Sequence, residues 1–217
     1  MSGDVVTELK DIVESHHLLN HPFYQAWTAG QLPVERLQRY AVRYYPHIAH
    51  FPRYISAIHA RCADLATRQV LLENLTEEEG GEDNHPELWL RFAEALGVPR
   101  DEVRGAAPVP AADSLVRTYG ELAATGPLAQ GLAALYVYES QIPPIAAAKI
   151  DGLTRWYGVE DERGLAFFRV HEQADVWHAE ATADLLDKHT TRPSDADAAR
   201  AGGQRAVTAL WEMLDGV

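Results

Sequence analysis

The C-terminal third of the chain contains the stretch Phe167-Phe168-Arg169-Val170-His171-Glu172-Gln173-Ala174-Asp175-Val176-Trp177-His178. In a helix, His171, Asp175 and His178 stand at positions i, i+4 and i+7 and therefore share one narrow stripe. Two imidazoles and one carboxylate form a ligand set that leaves coordination positions open for dioxygen at non-heme iron. The same spacing also suits the polar face of an ordinary amphipathic helix. The stretch therefore predicts a helix and admits a metal site on it.

The overall composition is typical of a globular protein without nucleic-acid or membrane partners. Of 217 residues, 47% are hydrophobic and 24% charged, and no Ser/Gly-rich or charged linker divides them, so we expect one domain over residues 1–217. The formal charge of −13 repels phosphate backbones and anionic lipid. A single cysteine, Cys62, fits a reducing compartment. Since the first residues also lack the features of an export signal, we expect a cytoplasmic protein.

Helical periodicity runs through the chain, and no segment alternates with the period of two that strands show. The apolar spacing predicts helices over residues 4–16, 23–29, 34–62, 68–79, 85–96, 128–156, 164–188 and 196–214. Residues 106–112 are predicted to form a loop, with Asp113 or Ser114 as the N-cap of a further helix. The predicted fold class is all-α.

Prolines and glycines predict where these helices break. We expect Pro46 and Pro52 to interrupt the helix over residues 34–62, and Pro143-Pro144 to break the long apolar segment 128–156, because proline removes a backbone donor and clashes with the preceding turn. Gly202-Gly203 should weaken the middle of the last helix.

Two acidic segments offer ligands for a second metal ion. Glu139 lies in an otherwise apolar segment, where a carboxylate is costly to bury unless it is paired or bound to metal; exposure to solvent is the alternative. Glu82 and His85 form the Glu-x-x-His pair of ferritin-like di-iron bundles. Glu78 stands seven residues before His85 and would share its helix face instead. Spacing alone leaves Glu78 and Glu82 both open.

These residues and several others together resemble a known family. The matching runs are Phe23-Tyr24-Gln25-Ala26-Trp27, Tyr44-Tyr45-Pro46-His47, Phe51-Pro52, Ser56-Ala57-Ile58-His59-Ala60-Arg61-Cys62, Asn84-His85, Leu88-Trp89, Ala133-Ala134-Leu135-Tyr136, Tyr138-Glu139-Ser140-Gln141-Ile142-Pro143, Lys149-Ile150, Gly152-Leu153-Thr154 and the opening His171-to-His178 motif. They are similar to the family of the chlamydial protein associating with death domains (CADD). That family belongs to the heme-oxygenase-like di-metal oxidases, whose fold PqqC and the TenA-type thiaminases share. The similarity covers about residues 16–179.

The resemblance implies a single heme-oxygenase-like bundle of about seven helices that forms a homodimer and holds two metal ions. It implies an Fe/Fe or Mn/Fe pair, with dioxygen as co-substrate and an external reductant. The ligands carried over from the family are Glu78, His85, Glu139, His171, Asp175 and His178. The resemblance prefers Glu78 over Glu82, since the family's acidic ligand stands seven residues before the histidine. Death-domain binding matches no motif in the chain and is not expected.

The family's activity is the oxygen-dependent synthesis of para-aminobenzoate, a folate precursor, from the protein's own side chains. The residues that match the excised tyrosine and the amino donor are Tyr24 and Lys149, while Tyr40 and Tyr138 match tyrosines that could relay oxidising equivalents. Nucleophilic attack requires a neutral amine, so Lys149 should have a lowered pKa. Taken singly, Tyr24 could be a core aromatic and Lys149 a lysine that reaches to the surface.

The chain departs from the family at two places. Phe167 stands where a chlamydial relative has a tyrosine, which removes any oxidation path through that ring. Pro86 directly follows the predicted ligand His85 and could alter the start of its helix.

Three competing functions remain open at this stage. The same metal site could oxidise a small external molecule, such as an amino acid, a fatty acid or a PQQ-type precursor, since fold does not determine function. A metal-free hydrolase of the TenA type would use Cys62 as its nucleophile, with His59 one turn away as a poorly placed base. A non-enzymatic helical interaction module would hold no stoichiometric metal.

Overall fold

A computed structural model of the chain describes residues 5–217, the side chain of Gln173 excepted. Within that range the chain forms α-helices, a short 3₁₀ helix Leu18–Asn20 and no strand, so the predicted all-α fold is confirmed. The helices are α1 Val5–Ser15, α2 Pro22–Thr28, α3 Val34–Arg61, α4 Leu65–Glu79, α5 His85–Ala95, α6 Arg100–Gly105, α7 Pro110–Ala124, α8 Leu128–Glu139, α9 Ile142–Trp156, α10 Glu162–His189 and α11 Pro193–Asp215. These segments outnumber the seven or so helices that the resemblance implies, since short helices such as α2 and α6 stand beside the long ones.

Helix α8 lies at the centre of the bundle. Nearly all of its side chains are buried, as expected for a helix that is apolar on all sides. Helices α7, α10 and α11 pack around it. Because α8 ends at Glu139, the most enclosed helix places a carboxylate in the interior at its C-terminal end.

The two longest helices are α3 and α10, and both pack on α5 and α8. Each has 28 residues; α3 packs on α4, α5 and α7, and α10 packs on α5, α8 and α9. The inner face of α3 is aromatic, with Tyr40, Tyr44 and Phe51 buried. No helix of the described part of the chain is long and apolar enough to cross a bilayer.

The prolines do not break the helices at the positions that the sequence predicts. Helix α3 continues through Pro46 and Pro52, so the predicted interruption of this segment is wrong. The segment 128–156 does divide, but at Ser140 and Gln141, upstream of Pro143-Pro144. Both prolines stand in the first turn of α9, where the missing N–H has no intrahelical partner to lose.

Several helix starts also differ from the prediction. Helix α7 begins at Pro110 with Val109 as its N-cap, so the loop ends before residue 112 and the N-cap assignment to Asp113 or Ser114 is wrong, because Pro110 is preorganised for a first turn. Helix α4 begins three residues before Arg68, since the Asp64 side chain accepts from the N–H of Thr67 and caps it. Helix α11 begins at Pro193 rather than Ala196, for the same reason as α7. Helix α6 was not predicted.

Glycine in α11 serves close helix packing. A Cβ at Gly202 would lie 2.7 Å from the carbonyl oxygen of Gln130 and 2.9 Å from its Cα. These are backbone atoms of α8, which have no rotamer by which to move away. The helix continues through Gly202 and Gly203, and without a side chain at Gly202 it packs directly against the backbone of α8.

We predict that Gly202→Ala lowers the free energy of unfolding by about 1–3 kcal/mol, the usual cost of overpacking a tight contact. Gly120→Ala in α7 is the matched control, since a Cβ there would meet no atom within 4 Å and should leave stability unchanged or slightly raised. Urea denaturation of both variants measures the difference. Equal stability of the two would show that the α8–α11 contact tolerates a methyl group.

Candidate functional site

Glu78 and His85 meet across the short loop between α4 and α5. Glu78 is in the last turn of α4 and is 3% exposed, and its Oε2 lies 2.7 Å from Nδ1 of His85. Glu82 lies in the connecting loop and is exposed, so the structure brings Glu78 and not Glu82 to His85. Pro86 stands in the first turn of α5 behind the N-cap Asn84, whose side chain accepts from the N–H of Glu87. The proline therefore does not disturb this helix start.

His171 of α10 completes a compact group with these two residues. One ligand atom each of Glu78, His85 and His171 can be chosen so that all three lie within 4.8 Å of one another. The rings of His85 and His171 are 4.2 Å apart at their centroids. Despite its short distance to Glu78, Nδ1 of His85 has no partner with hydrogen-bond geometry. The two groups are thus close enough to share one cation.

The ring of His171 is oriented for coordination through Nε2. Its Nδ1 lies 2.6 Å from the carbonyl oxygen of Phe167, which can only accept, so Nδ1 donates and Nε2 carries the lone pair. A backbone acceptor of this kind fixes the tautomer and direction of a metal-binding histidine. Phe167 stacks on the His171 ring, with the ring centroids 4.1 Å apart.

Glu139, Asp175 and His178 form a second group in which each has protein partners. Oε1 of Glu139 accepts from Asn74 at 2.7 Å and Oε2 accepts from the Thr182 hydroxyl at 2.9 Å. His178 contacts Asp175 through Nδ1 at 3.2 Å. Nε2 of the same ring lies 2.9 Å from Oε2 of Glu77. This second group is therefore held by hydrogen bonds rather than left open.

The donor set fits two divalent cations. Glu78, Glu139 and Asp175 are each at most 3% exposed, and buried carboxylates need compensating charge. The neighbouring imidazoles supply part of it: although burial opposes the change, Glu78 raises the pKa of His85, and Asp175 and Glu139 raise the pKa of His178 to about 9. Burial raises the pKa of Glu139 to about 7 and that of Asp175 to about 6. Oδ2 of Asp175 has no hydrogen-bond partner. Three carboxylates and three neutral imidazoles suit two divalent cations, with a net charge of +1, and a bound cation would give Oδ2 of Asp175 a partner.

Tyr24, Tyr40 and Lys149 lie together beside the first group. The Tyr24 and Tyr40 hydroxyls are 3.2 Å apart, and Nζ of Lys149 donates to the Tyr40 hydroxyl at 2.8 Å. The same Nζ lies 5.3 Å from the centroid of the Tyr24 ring. Burial lowers the pKa of Lys149 to about 7 and raises the pKa of Tyr24. At neutral pH the lysine is thus substantially the neutral, nucleophilic amine, and Tyr24 the neutral phenol.

A small closed chamber joins this group to the histidine face of α10. It holds only about 10 Å³ of free volume, about one water molecule. It is lined by Leu18, Tyr24, Tyr44, Trp89, Tyr138, Ile142, Ile145, Ala146, Lys149, Phe167, Phe168 and His171. Tyr138 reaches it from α8, with its ring 4.6 Å from Phe51 and 5.2 Å from His47. The predicted site residues Tyr24, Tyr138, Lys149 and His171 therefore share one enclosed space.

A known protein family matches most of this chain. The model of the family described as iron-containing redox enzyme matches residues 38–211. The chain belongs to this family. A 4-aminobenzoate synthase of Nitrosomonas europaea is 41% identical over 97% of this chain and 89% of its own length, and that of Chlamydia trachomatis is 44% identical over 96% and 89%. The resemblance drawn from the sequence is confirmed.

The fold is heme-oxygenase-like, since a domain of unknown function with that fold from Shewanella denitrificans has a TM-score of 0.76 to this chain, at 22% identity, over 98% of this chain and 88% of the other. A CADD-like protein of unknown function from Nostoc punctiforme has a TM-score of 0.75 to this chain, at 19% identity, over 97% of this chain and 96% of the other. The present chain belongs to an iron-containing family and brings together the side chains of Glu78, His85 and His171. It is therefore a metal-binding protein.

Sequence reasoning missed the residues that hold the ligands in place. Thr182 continues the stripe of His171, Asp175 and His178 by one further turn, so the spacing could have revealed it. Asn74 stands one turn before Glu78, on the same face of α4, and was equally detectable. His47, in one of the runs that match the family, is enclosed by aromatic rings, and neither ring nitrogen has a hydrogen-bond partner. Cys62 donates to the carbonyl of Asp64 and does not line the chamber.

We predict that Lys149→Met stabilises the metal-free protein at pH 7 by up to about 4 kcal/mol, because burial lowers the pKa of this amine from 10.5 to about 7 and each pKa unit corresponds to 1.36 kcal/mol. The unfolded chain keeps this amine protonated up to about pH 10.5, whereas the folded chain releases the proton near pH 7. The burial cost is therefore complete below pH 7 and disappears as pH rises toward 10.5. The advantage of the methionine variant should shrink over the same range.

Chemical denaturation between pH 6 and pH 10 measures this advantage. The exposed Lys10 provides the control, since Lys10→Met should change stability little and without this pH dependence. A constant difference between Lys149→Met and the parent protein across the range would show that the buried amine stays protonated.

Proposed function

We propose that this protein is a self-sacrificing 4-aminobenzoate synthase, in which Tyr24 supplies the carbon skeleton and Lys149 the amino group. The observation that carries the proposal is the position of the buried Lys149 Nζ, 5.3 Å from the centroid of the Tyr24 ring in a chamber that His171 also lines. The 4-aminobenzoate synthases at 41–44% identity support it. The product would serve folate synthesis, as the CADD resemblance implies.

The carbon count of the product agrees with a tyrosine source. 4-Aminobenzoate has seven carbons, six in the ring and one in the carboxylate, and a tyrosine side chain has six in the ring and one at Cβ. The Cα–Cβ bond of Tyr24 must therefore break, Cβ must be oxidised to the carboxylate level, and nitrogen must replace the phenolic oxygen. The phenolic oxygen leaves as water. Transfer of nitrogen from Lys149 breaks its Nζ–Cε bond, with Cε oxidised and its nitrogen replaced by oxygen from water, and dioxygen is the oxidant for both side chains.

The chain's own residues position these groups and control their protons. The Tyr40 hydroxyl accepts from Nζ of Lys149, which directs the amine toward the two phenols. The same hydroxyl is hydrogen-bonded to Tyr24, so it can pass a proton between phenol and amine. Tyr138 lines the same chamber and is placed to relay oxidising equivalents from the histidine face. The surrounding apolar walls exclude water, which would otherwise compete with the amine.

We further propose the six ligands of the metal pair. Glu78, His85 and His171 would hold one ion, and Glu139, Asp175 and His178 the other. Carboxylate and imidazole donors without thiolate suit an Fe/Fe or Mn/Fe pair. Such a pair, when bound, supplies the reduction of dioxygen that the oxidation of Tyr24 requires, with electrons from an external reductant. Homodimer formation stays a prediction.

The chamber size argues against an external substrate. A free volume of about 10 Å³ is far below the 300–1,000 Å³ of ordinary ligand pockets. An amino acid, a fatty acid or a PQQ-type precursor could enter only if the aromatic walls moved. A substrate already inside the chamber, the side chain of Tyr24, needs no such opening.

Isotope labelling tests the proposal directly. Protein made with ¹³C-labelled tyrosine and with lysine carrying ¹⁵N at Nζ is loaded with Fe(II) and exposed to dioxygen and ascorbate without added substrate. We expect at most one 4-aminobenzoate per chain, with both labels, because each chain has one such pair. Intact-mass analysis should show the loss at Tyr24.

Two variants and a control complete this experiment. Tyr24→Phe and Lys149→Arg should give no product while still binding metal, since the first lacks the phenol and the second a neutral amine. Tyr45→Phe, a half-buried position on α3 outside the chamber, should give the parent yield. Unlabelled product, or product from Tyr24→Phe, would refute the assignment of the source.

A further inference from the structure

A half-exposed carboxylate stands over the second ligand group. Oε2 of Glu77 lies 2.9 Å from Nε2 of His178, and the side chain of Glu77 is 52% exposed whereas that of His178 is fully buried. Glu77 is one residue before the proposed ligand Glu78, but its side chain points from the surface onto the other metal position. It thereby connects solvent with a buried imidazole.

The Glu77 carboxylate lies where a metal ion would bind to Nε2 of His178. Nδ1 of His178 is engaged by Asp175 on the same helix, so Nε2 is the nitrogen that faces the neighbouring helix α4. A metal ion bound to Nε2 would have to lie along the direction that the Glu77 carboxylate now fills. This carboxylate can swing into solvent, whereas Asp175, at 1% exposure, cannot.

The two proposed metal positions therefore differ in how far their ligands are already arranged to bind an ion. Glu78, His85 and His171 already converge within 4.8 Å. In the second group, α4 reaches across with both Asn74 and Glu77, which contact Glu139 and His178 respectively. Asn74, Glu77 and Glu78 stand at i, i+3 and i+4 and so share one face of α4.

We propose that Glu77 is the entry ligand of the second metal ion. It takes a divalent cation from solvent through its carboxylate oxygens, which are hard donors suited to Fe(II) or Mn(II), and exchanges its contact with Nε2 of His178 for that cation. The proton shared by the two groups leaves to bulk water. The inference rests on the proposed ligand group Glu139, Asp175 and His178.

Other exposed acidic side chains near Glu77 attract cations but do not take over its contact with His178. Glu73 and Glu79 on the same helix are exposed, and they raise the local cation concentration without a contact to His178. Glu79 thus offers a matched control with the same charge, helix and exposure class. An open groove at Pro143, Val176 and Ala179 reaches Asp175 from another side and is the rival entry route.

The test uses Mn²⁺ as the probe, with the metal-free parent protein and the variants Glu77→Gln, Glu77→Asp and Glu79→Gln. The loss of the free-Mn²⁺ electron paramagnetic resonance signal is followed in time and at equilibrium. We expect two ions per chain in the parent. In Glu77→Gln the first ion should bind as in the parent. The binding rate or the affinity of the second ion should fall about tenfold or more, the usual loss for a residue adjoining a metal ligand. Glu77→Asp should recover part of this loss, and Glu79→Gln should match the parent.

The other outcomes separate the possible failures. Parent-like loading of both ions by Glu77→Gln overturns the inference and favours the rival groove. Loss of both ions in Glu77→Gln overturns it as well, because it assigns Glu77 to the stability of α4. Fewer than two ions in the parent protein refutes the proposed ligand set itself, independently of Glu77. A thermal melt of each metal-free variant verifies folding.

Discussion

The burial of three carboxylates next to three histidines is the constraint on which the rest of this structure depends. Each carboxylate carries a charge that the protein interior solvates poorly, and the nearest buried amine, Lys149, has itself a pKa lowered to about 7. The chain resolves part of the conflict with hydrogen bonds from Asn74 and Thr182 to Glu139. The negative charge that these hydrogen bonds do not offset, together with the unpartnered Oδ2 of Asp175, favours the binding of cations. Function and a stability cost thus come from the same side chains.

The helical frame explains how such a site is assembled from distant parts of the chain. The end of α4, the start of α5, the end of α8 and the middle of α10 meet at one level of the bundle. Helix ends place Glu78, His85 and Glu139, and a long helix places His171 and the two residues that follow on its stripe. The tyrosine and lysine approach from α2, α3 and α9. A chamber of about 10 Å³, lined by Tyr24, Lys149 and His171, connects the two sets and holds about one water molecule.

Sequence reasoning succeeded where one helix decides the geometry and failed where a loop or a neighbour decides it. His171, Asp175 and His178 were predictable because a regular period fixes their common face. The choice between Glu78 and Glu82 depends on the turn at Gly80-Gly81, whose path no periodicity encodes. The pKa of Lys149 depends on rings from α2 and α3, more than a hundred residues away. Glu77 went unnoticed because only the packing of α4 on α10 separates it from the other exposed glutamates.

The most direct measurement is a crystal structure of the metal-loaded protein with anomalous diffraction data collected at the iron and manganese absorption edges. The account predicts two anomalous peaks, one between Glu78, His85 and His171 and one between Glu139, Asp175 and His178, with Nζ of Lys149 still beside the Tyr24 ring. A single peak, or peaks that lie away from these six side chains, would contradict it.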